Sequence, residues 1–345
     1  MTQKLHHLLW AFCSTVALAA PARAQSYTIS DLGVLPNGSD STGANAVNSK
    51  GDVTGSSGSF AFLYEGGAII DLGLAPFVVD PISSQGFAIN TANQVAGETF
   101  DGVQNATLYT NGVYTNLTPG STVDGSSAVG INSSGEVVGT MSLFANSTLS
   151  SHAFLWQPTQ ANGTTGKLVD LNPAAPAQSQ SEADAINDSG VVAGVVNGVA
   201  STYSGGKWTS LVGAAAAGTP SAINASAEIV GSVVVSTATP QEAFLFASGK
   251  TVLLGVLPGQ LKSAALAIND SGQIVGSSTA AGRRVTSTAV IFRTSGPVDL
   301  NTLIPANSGW TLIVANGING AGQIVGTGAF NGEGDHAFLL TPVAQ

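Results

Sequence analysis

The chain has 345 residues, only 9% of them charged, with 43 glycines, 20 acidic side chains against 10 basic ones, and a formal net charge of -10. Nucleic acids and anionic membrane surfaces are disfavoured as partners, because both need clustered cations and Arg283-Arg284 is the only basic pair. After the first two dozen residues no apolar run approaches the roughly 18 residues of a membrane-spanning helix.

In chain order, residues 1–24 read as a secretory signal peptide. Lys4, His6 and His7 form a basic head, Leu8 to Ala20 an apolar stretch, and Ala22-Arg23-Ala24 a small-x-small cleavage site. The sole cysteine, Cys13, lies inside it. The mature chain, expected from Gln25, then has no thiol and carries 8 basic against 20 acidic residues. It must be held by packing and strand pairing alone, which about 320 residues can do as one domain, 25–345.

Next comes a lone strand, Tyr27-Thr28-Ile29-Ser30-Asp31-Leu32-Gly33, and then a phrase that occurs seven times. It reads Ala46-Val47-Asn48-Ser49-Lys50-Gly51-Asp52-Val53-Thr54-Gly55 first and Gly317-Ile318-Asn319-Gly320-Ala321-Gly322-Gln323-Ile324-Val325-Gly326 last. Between them its Asn falls at Asn90, Asn132, Asn187, Asn224 and Asn269. Spacings of 37 to 55 residues are those of stacked or radially arrayed supersecondary units.

Asn-x-x-Gly between two β-prone stretches specifies a hairpin. The Asn side chain bonds the backbone two residues on, two residues take right-handed turn geometry, and Gly takes the left-handed position. Asn93 and Ala227 stand where Gly is expected. Asn tolerates that backbone region; Ala should cost about 1 kcal/mol or force a different turn. A second segment recurs as Ala61-Phe62-Leu63-Tyr64, Ala153-Phe154-Leu155-Trp156, Ala243-Phe244-Leu245-Phe246 and Ala337-Phe338-Leu339-Leu340. A third ends in Asp-Leu, at Asp71-Leu72, Asp170-Leu171 and Asp299-Leu300.

Each unit thus offers four short strands: a ending at the Asn, b after the turn, c at Ala-Phe-Leu, d at Asp-Leu. Four antiparallel strands repeated seven times predict an all-β, seven-bladed β-propeller. The last repeat stops after strand c, and the chain begins with a spare strand d, which predicts closure of the ring by the N-terminal strand pairing into the last blade and removes an exposed edge. An open β-solenoid has no use for that displaced strand. An outer-membrane barrel needs strands of about 9–11 residues and aromatic girdles.

Taken together, Ala-Ile-Asn-x-x-Gly-x-Val-Val-Gly, His-Ala-Phe-Leu-Trp and Asp-Leu-Gly resemble the HAF-type extracellular repeat family over nearly all of the chain from Tyr27 to Leu340, although the name-giving His survives only at His152 and His336. The resemblance implies a secreted or cell-envelope bacterial protein and supplies no catalytic residues. The C-terminal Thr341-Pro342-Val343-Ala344-Gln345 matches neither a surface-sorting tail nor an autotransporter barrel, so a freely secreted or periplasmic protein is expected.

The a–b and c–d turns, tight and repetitive, should share one face; the b–c loops and d–a crossovers, variable in length, should share the other, where function usually sits. The ligand-binding candidates there are Arg283 and Arg284 for an anion, His152 and His336 at the mouths of their c strands, and Trp310 as a platform for a sugar ring. Both His fall where the repeat itself calls for His, and they lie in non-adjacent units, which argues against a shared catalytic or metal centre. The Asn-Asp-Ser-Gly turns at Asn187 and Asn269 lack the further oxygens of a calcium loop. No Gly-x-Ser-x-Gly is present. The sequence therefore leans towards a non-enzymatic binding or matrix-interaction module, with no cofactor, no metal and no catalytic residue assigned, and an extracellular glycan or envelope polymer as the class of partner. The alternative is a polysaccharide-active hydrolase or lyase on the variable face, whose paired carboxylates would come from distant parts of the chain.

Overall fold

A computed structural model describes residues 25–36, 41–120, 123–145, 148–172, 179–235, 241–280 and 286–344. The signal-peptide assignment, residues 1–24, lies outside the described residues.

The described residues form seven four-stranded antiparallel sheets, the blades of a β-propeller. Blade one is β2 (Thr42–Val47), β3 (Val53–Ser57), β4 (Phe60–Glu65) and β5 (Ala68–Gly73). Blade two is β6 (Ser83–Ile89), β7 (Val95–Phe100), β8 (Gln104–Thr110) and β9 (Val113–Asn116). Blade three is β10 (Val123–Ile131), β11 (Val137–Ala145), β12 (Thr148–Pro158) and β13 (Gly166–Asp170). Blade four is β14 (Ser181–Ile186), β15 (Val192–Val196), β16 (Val199–Ser204) and β17 (Lys207–Ser210). Blade five is β18 (Gly218–Ile223), β19 (Ile229–Val233), β20 (Glu242–Ala247) and β21 (Lys250–Leu253), and blade six is β22 (Lys262–Ile268), β23 (Ile274–Thr279), β24 (Ser287–Arg293) and β25 (Gly296–Asp299). Blade seven joins β26 (Trp310–Ile318), β27 (Ile324–Phe330) and β28 (Asp335–Pro342) to the N-terminal β1 (Tyr27–Asp31). β1 pairs with β28 from Tyr27–Pro342 to Asp31–Phe338, the expected ring closure.

Every a–b hairpin follows the same chemistry. In the turn at Asn269, the Gly272 N–H donates to the Asn269 carbonyl at 3.0 Å, and Asn269 Oδ1 accepts from the N–H groups of Ser271 and Gln273. Ala227 does not change the turn: it takes the left-handed conformation at φ 58°, as Asn93 does, and its N–H still reaches the Asn224 carbonyl. The cost of Ala at that station is therefore carried as backbone strain.

Strand a of every blade contains a bulge three residues before the Asn, at Asn45, Phe87, Val129, Asp184, Ser221, Leu266 and Asn316. The bulge gives a physical reason for the last Gly of the phrase. At Gly55, Gly97, Gly139, Gly194, Gly231, Gly276 and Gly326 a Cβ would overlap a carbonyl oxygen of the adjoining strand a, such as that of Ala264 opposite Gly276. These are close-approach glycines, distinct from the turn glycines.

The core lies between blades. Phe62, Phe154, Phe244 and Phe338 of strand c are fully buried, each contributing about 2–3 kcal/mol by burial. Serines stitch neighbouring blades: Ser84 Oγ accepts the Ala61 N–H and donates to the Gly73 carbonyl, and Ser263 Oγ does the same for Ala243 and Gly255. Ser126 and Ser181 accept from Ala106 and Ala153. Among the described residues no helix is long and apolar enough to cross a membrane.

Candidate functional site

The two faces of the propeller are built differently. On the turn face, the side chain of each phrase Asn donates to the backbone carbonyl of the Asn in the next blade. The chain of bonds runs Asn48 to Asn90, Asn132, Asn187, Asn224, Asn269 and Asn319, and returns from Asn319 to Asn48, at 2.9–3.3 Å. The second proton of the same amide goes, in six blades, to the side chain four residues on: Asp52, Gln94, Glu136, Glu228, Gln273 or Gln323. The ring Asn are buried and satisfied. A pocket of about 230 Å³ opens beside them, lined by the residues that follow six of the seven Asn and by Ile89, Ile131, Ile186, Ile223 and Ile268. At its rim Asp188 caps the Ser133 N–H at 2.8 Å and Asp270 caps the Ala225 N–H at 2.9 Å.

Blade three departs from the expected tight c–d turn. Residues 159–165 form a longer loop that folds over the ring, where Asn162 accepts from the side chains of Asn90 and Gln94 and donates its N–H to the Ser134 carbonyl. The loop acts as one more scaffold contact.

The variable face carries the sequence candidates, and the structure disperses them. Arg283 and Arg284 lie outside the described residues. His152 does not open its strand: β11 and β12 form a long hairpin that projects past it, and His152 sits opposite Met141. Its Nδ1 contacts Asp170 Oδ2 at 2.8 Å, while Asp170 Oδ1 accepts the Asn172 N–H. His336 repeats the arrangement with Asp31, at 3.1 Å, and Asp31 Oδ1 accepts the Gly33 N–H. The His of His-Ala-Phe and the Asp of Asp-Leu are therefore one device that ties strand c to the end of strand d. The two His stand in blades three and seven, which are not neighbours. Trp310 is not in a crossover loop but opens β26, opposite Phe330. Its ring lies 5.0 Å from that of Phe330 and 6.1 Å from that of His336. Among the described candidates, Trp310 and His336 are thus the one pair brought together, with Asp31 paired to the His.

Six of the apolar side chains left in solvent stand on loops and a hairpin of this face. Phe77, Val79 and Ile82 are exposed in the first crossover, Val103 in the b–c loop of blade two, and Phe144 and Leu149 on the blade-three hairpin. Sequence reading missed these exposed side chains, because single apolar residues in loops form no periodic pattern.

Among the described residues two carboxyls depart from their ordinary behaviour, in different places. Burial pushes Glu98 of β7 up, an effect partly offset by a hydrogen bond from Ser127 in the next blade. Burial, with the charge of Glu182 adding to it, pushes Asp184 up to about 7. Asp184 lies on the wall of a second cavity of about 310 Å³ in the central channel, bounded by the bulge residues. Among the described residues no group of three or more His, Cys, Asp and Glu is arranged to hold a metal ion.

No protein-family model and no curated protein matches the chain. Its structure is similar to the extracellular domain of a B. thetaiotaomicron protein described as a one component system, with 8% identity over 93% of this chain and 40% of that chain, at a TM-score of 0.54. It is also similar to PorZ, a surface component of the type-IX secretion system of Porphyromonas gingivalis, with 10% identity over 88% of this chain and 51% of that chain, at a TM-score of 0.40. This chain thus spans about two fifths of the first of these. At such identities the likeness speaks to the fold.

Proposed function

We propose that this protein is a secreted or periplasmic propeller of HAF-type repeats that acts as a non-enzymatic binding module, engaging an extracellular glycan or envelope polymer through its variable face. The observation that carries this reading is the exposure of Phe77, Val79, Ile82, Val103, Phe144 and Leu149 on segments of the variable face that the repeat does not dictate. Large apolar side chains left in water on one face of a rigid scaffold are material for an interaction surface, and Phe144 and Leu149 stand opposite each other in the blade-three hairpin. The residues that do recur are used as strands, turns, ring bonds and His–Asp ties.

The test is a binding screen of the purified protein against polysaccharides and cell-envelope polymers, with the F144S/L149S variant beside it. Saturable binding by the wild type that weakens at least tenfold in the variant supports the module. Depolymerisation of any bound polymer by the pure protein overturns the non-enzymatic reading.

The alternative, a polysaccharide-active hydrolase or lyase, draws on one arrangement: an aromatic platform, Trp310, beside a His whose Nδ1 is held by a carboxylate. That is the geometry of an oriented acid/base, but the same tie at His152 has no Trp beside it, which favours the structural role. Turnover that disappears in H336A and persists in H152A would establish the enzyme.

A further inference from the structure

The bulged residue of strand a faces the central channel, and in two seams it makes a bond between blades. Asn45 Nδ2 donates to the Gly86 carbonyl and Asn316 Nδ2 to the Ala44 carbonyl, both at 2.8 Å. In each case the acceptor stands four residues before the ring Asn of the next blade. Asp184 occupies the same station in blade four, and the matching carbonyl in blade five is that of Pro220, opposite Gly231 in the same register that Gly86 and Ala44 keep with Gly97 and Gly55. Yet Asp184 Oδ2 is sealed from solvent and no donor among the described residues reaches it. With the register kept, a carboxylate there would set a buried acceptor against an acceptor, whereas a carboxylic acid is a donor shaped like the Asn amide.

We propose that Asp184 is held as the neutral acid, donates its proton to the Pro220 carbonyl, and makes the seam between blades four and five a pH-sensitive latch in the channel wall. The surroundings fit a proton rather than a countercharge. Of the strands packed on β14, β11, β15 and β18 carry no titratable side chain. On β12, His152 is tied to Asp170, and on β10, Asp124 stands near the start of the strand. Burial, with the charge of Glu182 two residues back on β14 adding to it, raises the carboxyl from 3.8 to about 7. A carboxyl whose folded pKa stands above its unfolded one binds more protons when folded. Stability is then full below about pH 4, declines as pH rises, and the latch is open above about pH 7.

The test compares thermal unfolding of the full chain and of D184N between pH 4 and pH 8.5, because Asn is the residue that does this work in blades one and seven and needs no proton. The wild type is expected to lose roughly 5–10 °C relative to D184N between pH 4 and pH 8, with D184N the more stable above pH 7. E182Q should move the wild-type midpoint to lower pH by less than one unit. Parallel pH profiles for wild type and D184N would overturn the proposal. So would a wild type at pH 8 that sodium or calcium chloride restores while D184N does not respond, since that would show a cation at the carboxylate in place of the proton.

Discussion

The turn face and the variable face are made by the same strands, yet they obey different rules. On the turn face the recurring Asn groups find partners set by the repeat, and the Asn amides bond round the ring back to their start. On the variable face the loops change length from blade to blade, the crossovers leave Phe77, Val79 and Ile82 in water, and the blade-three hairpin lifts Phe144 and Leu149 outwards. The difference teaches where recurrence stops being informative. A residue that recurs in every blade is answering a demand that every blade makes, and that demand is structural.

The sharpest way to break the comparison is at the close-approach glycines. G276A places a Cβ against the Ala264 carbonyl and should cost more than about 3 kcal/mol or prevent folding, whereas G332A, in an exposed turn of the variable face with φ 77° and open space around it, should cost about 1 kcal/mol. Urea denaturation of the two variants decides this, and equal losses would refute the assignment. Next in size is the Asn ring. N269A removes the bond to the Asn319 carbonyl and orphans the N–H groups of Ser271 and Gln273, an expected loss of about 3 kcal/mol by the same measurement. A227G should stabilise by about 1 kcal/mol, because Ala227 alone among the Ala residues described holds a positive φ. The smallest stability effect belongs to F144S/L149S on the variable face, expected within about 0.5 kcal/mol of wild type, while polymer binding falls. A large destabilisation there would show that the hairpin tips are packed scaffold and remove the basis for the binding surface.

Much of the scaffold could be read from the chain. Asn-x-x-Gly announced the hairpin because its turn is closed by local bonds, and the spare strand Tyr27–Asp31 announced ring closure because blade seven lacked a strand d. The candidates were read less well. Trp310 sits where a crossover was expected to run, because β26 starts earlier than the repeat suggests, and His152 lies inside a hairpin whose extension leaves no signature in the repeat. The ring of Asn amides, the serine stitches and the His–Asp ties were invisible, since each joins residues that come together only when blades or strands pack.

The sequence alone determined the unit, its number and its closure, because turns and strand alternation are properties of residues near one another in the chain. Only the tertiary structure decided what the recurring residues are for. The second Gly is required by a bulge in the neighbouring strand, the Asn by a carbonyl one blade away, and Asp184 by a channel wall that burial and a missing donor turn from a carboxylate site into a place for a proton. These are demands of close packing between distant segments, and no local pattern carries them.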